Sequence, residues 1–325
     1  MISEIKLYIS NTNCPYTNLA IEKYLLDSVE DNCCILYLWQ NDNTVVIGKN
    51  QNPWTECNVS ALKSKKIKLA RRLSGGGAVF HDLGNLNFTF ICSTENYNLS
   101  KQMKVIQKAC ELSGITTEIS GRNDILASGF KFSGNAFYNS KGKSYHHGTI
   151  LINSDKETVS EILTPSKAKL EAKGVKSVKS RIINLSEINP ELTCEIMKSN
   201  LLYAFEAIYN SKAKPITELN AQTIVNYSEL FGSDEFLYGS TLPFTCECKQ
   251  RFSWGEIQLQ LLVKSGIIVD VMVYTDAMDH ELSDILKSAL INLHYDKSDM
   301  IRSISESFDY EISKDISTLI SEWIF

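Results

Sequence analysis

Asp124-Ile125-Leu126-Ala127-Ser128-Gly129-Phe130-Lys131-Phe132-Ser133 reads as two short strands joined by a two-residue Ser-Gly turn. Strand residues alternate between faces, so Phe130 and Phe132 are expected on one side and Lys131 and Ser133 on the other. A hairpin commits this part of the chain to antiparallel pairing. It also carries Lys131 on a rigid element, its ammonium emerging near Ser133 and Asn135. A lysine held in this way is placed to neutralise an anion; the plainer reading is a solvated lysine on an exposed sheet face.

Upstream, Leu86, Phe88, Phe90 and Cys92 alternate with Asn87 and Thr89, which predicts a strand over 85–92 with one packed face and one polar face that could wall a site. The β-rich runs 34–39 and 44–48, separated by Gln40-Asn41-Asp42-Asn43, predict a second hairpin. Further strands are expected at 67–71 and 145–153. Helical spacing predicts helices over 15–29, 55–66 and 190–209, the last with Leu192, Ile196, Leu201, Phe205 and Ile208 on one stripe. Periodicity fades between about 210 and 250, where turn formers are frequent. It resumes with strands at 256–263 and 267–274 and helical spacing at 280–292 and 311–323. The expected division is a domain over 1–248 and a small α+β domain over 249–325.

The 325 residues are 43% hydrophobic and 22% charged, ordinary for a globular chain, and no run approaches the roughly 20 apolar residues of a membrane span. The start, MISEIKLYISNTN, lacks the basic and apolar regions of a secretory signal. Nine dispersed cysteines without a CxxC pair read as reduced thiols in a cytoplasmic protein. A net charge of −5 argues against general nucleic-acid binding. Two basic runs, 63–72 and 167–181, then suggest anionic ligands, or else a solvated helix face and a surface loop.

Arg71-Arg72-Leu73-Ser74-Gly75-Gly76-Gly77-Ala78-Val79-Phe80-His81-Asp82 is the strongest local signal. Three glycines cost backbone entropy and persist where φ is positive or a ligand touches the backbone. With two guanidinium forks beside free amides, the loop is a candidate anion site. It is not a Walker A loop, since no Lys-Ser/Thr follows at the right spacing, nor a GxGxxG fingerprint, since Phe80 stands at the last glycine position. Ala78-Val79-Phe80 adds apolar walls that suit a ligand with an apolar tail. His146 and His147 adjoin on a strand, point to opposite faces, and so cannot simply share one metal ion.

Together these segments resemble the lipoate-protein ligases along nearly the whole chain: residues 47–58, 71–82 with Gly84-Asn85, 121–124, Lys131 with Ser133-Gly134, and His146-His147-Gly148-Thr149, in that family's order. Trp254-Gly255 and the unit after it are similar to the family's small accessory domain. The resemblance implies an α+β fold with a mixed, largely antiparallel sheet flanked by helices, akin to biotin ligases and class II aminoacyl-tRNA synthetases. It implies ATP and Mg2+ as cofactors and two steps: lipoic acid and ATP give lipoyl-adenylate, and the acceptor lysine then displaces AMP. Acceptors would be lipoyl-domain proteins, namely 2-oxo acid dehydrogenase E2 subunits and the glycine-cleavage H protein, with no nucleic acid and no membrane. Lys131 would bridge carboxylate and phosphate as the catalytic cation. Arg72, Gly77, Ala78, Val79, Phe80, Asn123, Asp124, Lys173 and Arg181 would hold the nucleotide, the last two from a covering loop over 164–181. Arg71, Ser74, Gly75, Gly76, His81, His147 and Gly148 would shape the lipoate tunnel, and Asp124 would position the magnesium. The Ser128-Gly129 turn is shorter than the connection in some relatives.

The nearest rival is a lipoyl or octanoyl transferase of the same fold that works through a cysteine thioester without ATP. It needs an activated thiol, and the glycine loop and lysine hairpin contain none. A transferase accepting only preformed lipoyl-adenylate would look nearly identical in sequence.

Overall fold

The strand Asn85–Ser93 (β6) is buried along its whole length because both faces of its sheet are covered. The computed structural model describes residues 2–57, 59–121, 123–163, 182–238 and 246–323. The sheet has eight strands in the order β11 (Lys214–Pro215), β1 (Glu4–Ile9), β2 (Cys33–Trp39), β6, β10 (Lys143–Leu151), β9 (Phe130–Ser140), β8 (Asp124–Ala127) and β7 (Thr117–Ser120). Only the pairs that β1 makes with β2 and β11 are parallel, so the sheet is mixed and largely antiparallel.

The alternation in β6 decides which layer each face meets. Leu86, Phe88, Phe90 and Cys92 pack against the helices Leu99–Glu111 and Cys194–Tyr209 through Met103, Ile106, Leu201 and Phe205. Ile91, on the other face, joins the core beneath the helix Pro15–Ser28, where Leu19, Leu25 and Leu26 are buried. Asn87 and Thr89 share that second face.

The 124–133 hairpin forms, with Ser128 and Gly129 at φ 51° and 80° as a two-residue turn requires. A β-bulge between Ile125 and Leu126 breaks the expected alternation. Phe130 is therefore 47% exposed while Phe132 is fully buried, and the two do not share an environment.

The hairpin expected at 34–48 does not exist. β2 lies in the large sheet, whereas Thr44–Ile47 (β3) centres a separate three-stranded sheet, parallel to Lys68–Arg71 (β4) and antiparallel to Val79–His81 (β5). Both runs are buried on both faces, so their hydrophobicity names no partner. The expected helix at 55–66 is two short pieces, Pro53–Glu56 and Val59–Ser64. The helix expected from 190 begins at Cys194, capped by Thr193, whose side chain accepts from the Ile196 amide. That start turns Ile196 outward and puts Met197 on the buried stripe. The aperiodic stretch after 210 holds two further helices, Ala221–Gly232 and Asp234–Tyr238. The first packs on Pro15–Ser28 yet buries only Phe231 fully, which is why it left a weak pattern.

The small unit is an antiparallel sheet of β12 (Cys246–Arg251), β13 (Glu256–Lys264) and β14 (Ile267–Thr275), backed by the helices Leu282–Leu290, Lys297–Ser307 and Tyr310–Trp323 around their own core. β12 and the middle helix were not expected. Among the described residues no helix is long and apolar enough to cross a membrane.

Candidate active site

A cavity of about 730 Å³ lies between the sheet face carrying Trp39, Asn87, His147 and Thr149, the glycine loop, the lysine hairpin and the small unit. Of the residues singled out from sequence, Arg72, Gly76, Gly77, Ala78, Val79, Phe80, His81, Asn123, Asp124, Lys131, His147 and Gly148 line it; Arg71, Ser74 and Gly75 do not. Lys173 and Arg181 lie outside the described residues. The segment's neighbours Leu163 and Ile182 are both on the cavity wall.

The two arginines serve the backbone. Arg71 donates to the carbonyls of Gly48, Lys49, Gln51, Phe236 and Leu237. Arg72 donates to Ser74 Oγ and to the carbonyls of Val46, Gly75 and Gly77, and so clamps the glycine loop from within. Burial lowers each guanidinium to about 10, which leaves both charged at neutral pH. Arg72 also reaches the cavity wall, while most of the N–H groups of both arginines are spent on the chain itself.

Gly75 is required by close packing, because a Cβ there would lie 2.3 Å from the Ala277 carbonyl oxygen. The next amide, Gly76 N–H, donates to that same carbonyl at 2.9 Å. Lys49 adds an ion pair to Asp284 at 2.9 Å, and Thr275 N–H donates to the Asn50 carbonyl. The small unit thus seats directly on the glycine loop. It contributes Arg251, Trp254, Asp276 and Met278 to the cavity wall, none of which the sequence had marked for the site.

Lys131 stands on the opposite wall. Its Nζ is 2.6 Å from Asp124 Oδ1, and the ammonium lies over Gly134, where a Cβ would be 2.8 Å from it. Gly134 N–H in turn donates to the Thr149 hydroxyl. Asn123 is tied across the hairpin to Asn135, each side-chain amide donating to the other's backbone carbonyl.

The two histidines do face opposite ways. His146 is buried beside Phe88 and Phe90, donates through Nε2 to Asn135 Oδ1, and is pushed down to about 3 by burial. His147 donates through Nδ1 to Glu22 Oε1 and accepts at Nε2 from the Ser74 hydroxyl, both at 2.8 Å. Glu22 also accepts from Thr89, which accepts from the Trp39 indole. Glu22 is 2% exposed. Its signal was an acid three residues after Leu19 and four before Leu26 on an otherwise apolar helix face. Among the described residues no cysteine lines the cavity, and no cluster of three or more His, Cys, Asp or Glu is placed to hold a metal ion.

The lipoyl protein ligase A/B catalytic domain family matches residues 14–206, and the bacterial lipoate protein ligase C-terminus family matches 241–324. Lipoate-protein ligase A of Psychrobacter cryohalolentis is 36% identical over 99% of this chain and 98% of its own. The crystal structure of P. falciparum LipL1 in complex with lipoate superposes with a TM-score of 0.86 at 32% identity, covering 98% of this chain and 99% of that one. A lipoate-protein ligase A bound with ATP shares the fold at a TM-score of 0.61 and 22% identity, covering 74% of this chain and 99% of that one. With two family matches in tandem and a relative aligned from end to end, the chain belongs to the lipoate-protein ligase family.

Proposed function

We infer that the protein is an ATP-dependent lipoate-protein ligase that makes lipoyl-adenylate and passes the lipoyl group to a lysine of a lipoyl-domain protein. The observation that carries this reading is the Lys131 ammonium, held inside the cavity by Asp124 and by its position over Gly134. The first step brings a carboxylate to an anionic α-phosphate. Unit charges about 4 Å apart repel by about 4 kcal/mol at an effective dielectric near 20, so a fixed cation between them lowers the barrier. The carboxylate oxygen attacks phosphorus and pyrophosphate leaves. The acceptor amine then attacks the acyl carbon and AMP leaves, with the amine proton passing to solvent.

In this reading the loop backbone from Gly77 to Phe80, with Asn123 and Asp124, meets the nucleotide, and Gly76, His81, His147 and Gly148 meet the acid. Arg71, Arg72, Ser74 and Gly75 act by holding the loop. Lys173 and Arg181 keep their proposed nucleotide role from outside the described residues. Mg2+ favours hard oxygens and keeps several waters, and the cavity offers it the Asp124 carboxylate together with substrate phosphates. When bound, the ion would disperse the charge of the triphosphate.

We propose E2 lipoyl domains and the glycine-cleavage H protein as acceptors, and the cytoplasm as the setting, in keeping with nine free cysteines. The division into a catalytic part over 1–248 and an accessory part over 249–325 is also a proposal. Since β12 straddles that boundary, the cut is better drawn ahead of Cys246. Lipoate-dependent exchange of labelled pyrophosphate into ATP, without acceptor, tests the function. Exchange is expected; its absence in protein that still transfers from synthetic lipoyl-adenylate would make it a transferase.

A further inference from the structure

A chain of buried amides fixes the proton on His81. Asn18 Nδ2 donates to the backbone carbonyls of Thr12 and Gln40, at 3.1 and 2.9 Å, while its Oδ1 accepts from the hydroxyls of Ser10 and Tyr37. Its orientation is therefore unambiguous. Asn18 Nδ2 shares its two hydrogens among these carbonyls and Asn41 Oδ1, 2.9 Å away, so Asn41 presents its oxygen to Asn18 and its Nδ2 to His81 Nδ1 at 3.2 Å. An amide nitrogen only donates, so Nδ1 must be the bare acceptor and the ring proton must sit on Nε2. Burial, then the charge of Arg72, pushes His81 down to about 3 and keeps the ring neutral.

His81 Nε2 is buried without a hydrogen-bond partner among the described residues, although the side chain, 3% exposed, lines the cavity. A donor left unmet in a dry wall costs free energy unless a ligand supplies the acceptor. The surroundings say what kind of ligand part arrives there. Trp39 meets the ring edge-on at 6.0 Å, and Leu19, Val46 and Val79 complete an apolar end. Strand register sets the distance from the lysine. Trp39 pairs with Asn87 and Asn87 with Thr149, whose hydroxyl accepts from Gly134 beneath Lys131. Three strand spacings separate Trp39 from Gly134, about 14 Å between backbones, which leaves room for an extended eight-carbon acid whose carboxylate sits at Lys131.

We propose that His81 is the specificity-determining residue that tells a sulfur-bearing acyl tail from a plain eight-carbon chain: its Nε2–H donates to a dithiolane sulfur, a contact octanoate cannot make. Sulfur is a weak but real acceptor, and it packs favourably against an aromatic wall. Sites built to hydrogen-bond a substrate group reject the analogue that lacks it, because the site's own group is then left unpaired. The inference rests on the cavity being the lipoate site and goes beyond it by naming the atom that discriminates.

The test is pyrophosphate exchange with lipoate and with octanoate, read as the ratio of kcat/KM, in the wild type, His81→Phe and His81→Gln. The wild type is expected to prefer lipoate. His81→Phe keeps a flat ring beside Trp39 but no donor, and should lower the ratio about tenfold. His81→Gln places an amide N–H near the position of Nε2–H and should keep most of the preference, which a merely structural role would not allow. An unchanged ratio in His81→Phe, or equal use of the two acids by the wild type, overturns the inference while leaving the ligase intact. If neither acid supports exchange in the wild type, the functional reading falls and the inference with it. Should His81→Phe fail to fold, histidine-labelled wild-type protein decides by NMR: the Nε2–H resonance should move downfield with lipoate and not with octanoate, and equal shifts would overturn the proposal.

Discussion

Lys131 and Asp124 face each other across adjacent strands, ammonium to carboxylate at 2.6 Å, where the hairpin enters the cavity. The pair holds the cation in position before any substrate arrives, so its reorganisation does not burden the chemical step. Lys131→Ala should fold and lose lipoate-dependent pyrophosphate exchange by a factor on the order of 10²–10³ or more, the usual cost of removing one charge-stabilising donor. Near-normal exchange in that variant would remove the mechanism's central cation.

Asp124→Asn asks a separate question. It keeps the shape and one acceptor oxygen but removes the charge that restrains Lys131 and that would serve Mg2+. Exchange should fall and the magnesium concentration for half-maximal rate should rise, while transfer from synthetic lipoyl-adenylate changes little. An unchanged magnesium dependence would remove Asp124 from the metal's surroundings.

Glu22 supports the other wall. Its carboxylate takes hydrogen bonds from His147 and Thr89 with almost no water, so Glu22→Ala leaves two buried donors without an acceptor. A loss of about 1–3 kcal/mol in urea unfolding is expected, with Glu22→Gln losing less because it retains an acceptor oxygen. The KM for lipoate should rise in both. Unaltered stability and KM in Glu22→Ala would mean that the His147–Ser74 contact holds itself.

The turn at Ser128-Gly129 and the glycine loop were legible because each is set by local backbone geometry, and β6 because polar Asn87 and Thr89 alternate with apolar residues even though both its faces are buried. The partner of β3 was not, since its run Val45-Val46-Ile47 is apolar on both faces and carries no alternation to name its sheet. Arginines next to a glycine loop look like ligand forks in sequence; only tertiary structure shows Arg71 reaching the carbonyls of Phe236 and Leu237 more than 160 residues away. The same distance hid Met278 and Arg251, which meet the cavity from the far end of the chain. The tautomer of His81 depends on Asn18 and Asn41, two buried amides that no motif marks.

Gly75 measures how firmly the small unit is seated. In Gly75→Ala the added methyl would lie 2.3 Å from the Ala277 backbone carbonyl oxygen, which cannot rotate away as a side chain could, so either the loop or the small unit must shift. The expected result is about 1–3 kcal/mol of destabilisation and faster amide exchange at Gly76, whose N–H donates to Ala277. If Gly76 keeps its protection, the interface is softer than this contact implies.

Acid should unfold the protein through its buried histidines. His81 and His146 are each held near 3 by burial, against an ordinary value of 6.5. Between those values the unfolded chain binds protons that the folded chain refuses, so stability is fully present above about pH 6.5 and drains as pH falls toward 3. Each ring contributes a slope of about 1.4 kcal/mol per pH unit in that window, an order-of-magnitude figure. The measurement is urea unfolding between pH 7.5 and 4.5, alongside His146→Asn, which should be less stable at pH 7.5 but show a shallower acid slope. Parallel slopes in the two proteins would mean that His146 takes up its proton without unfolding the chain.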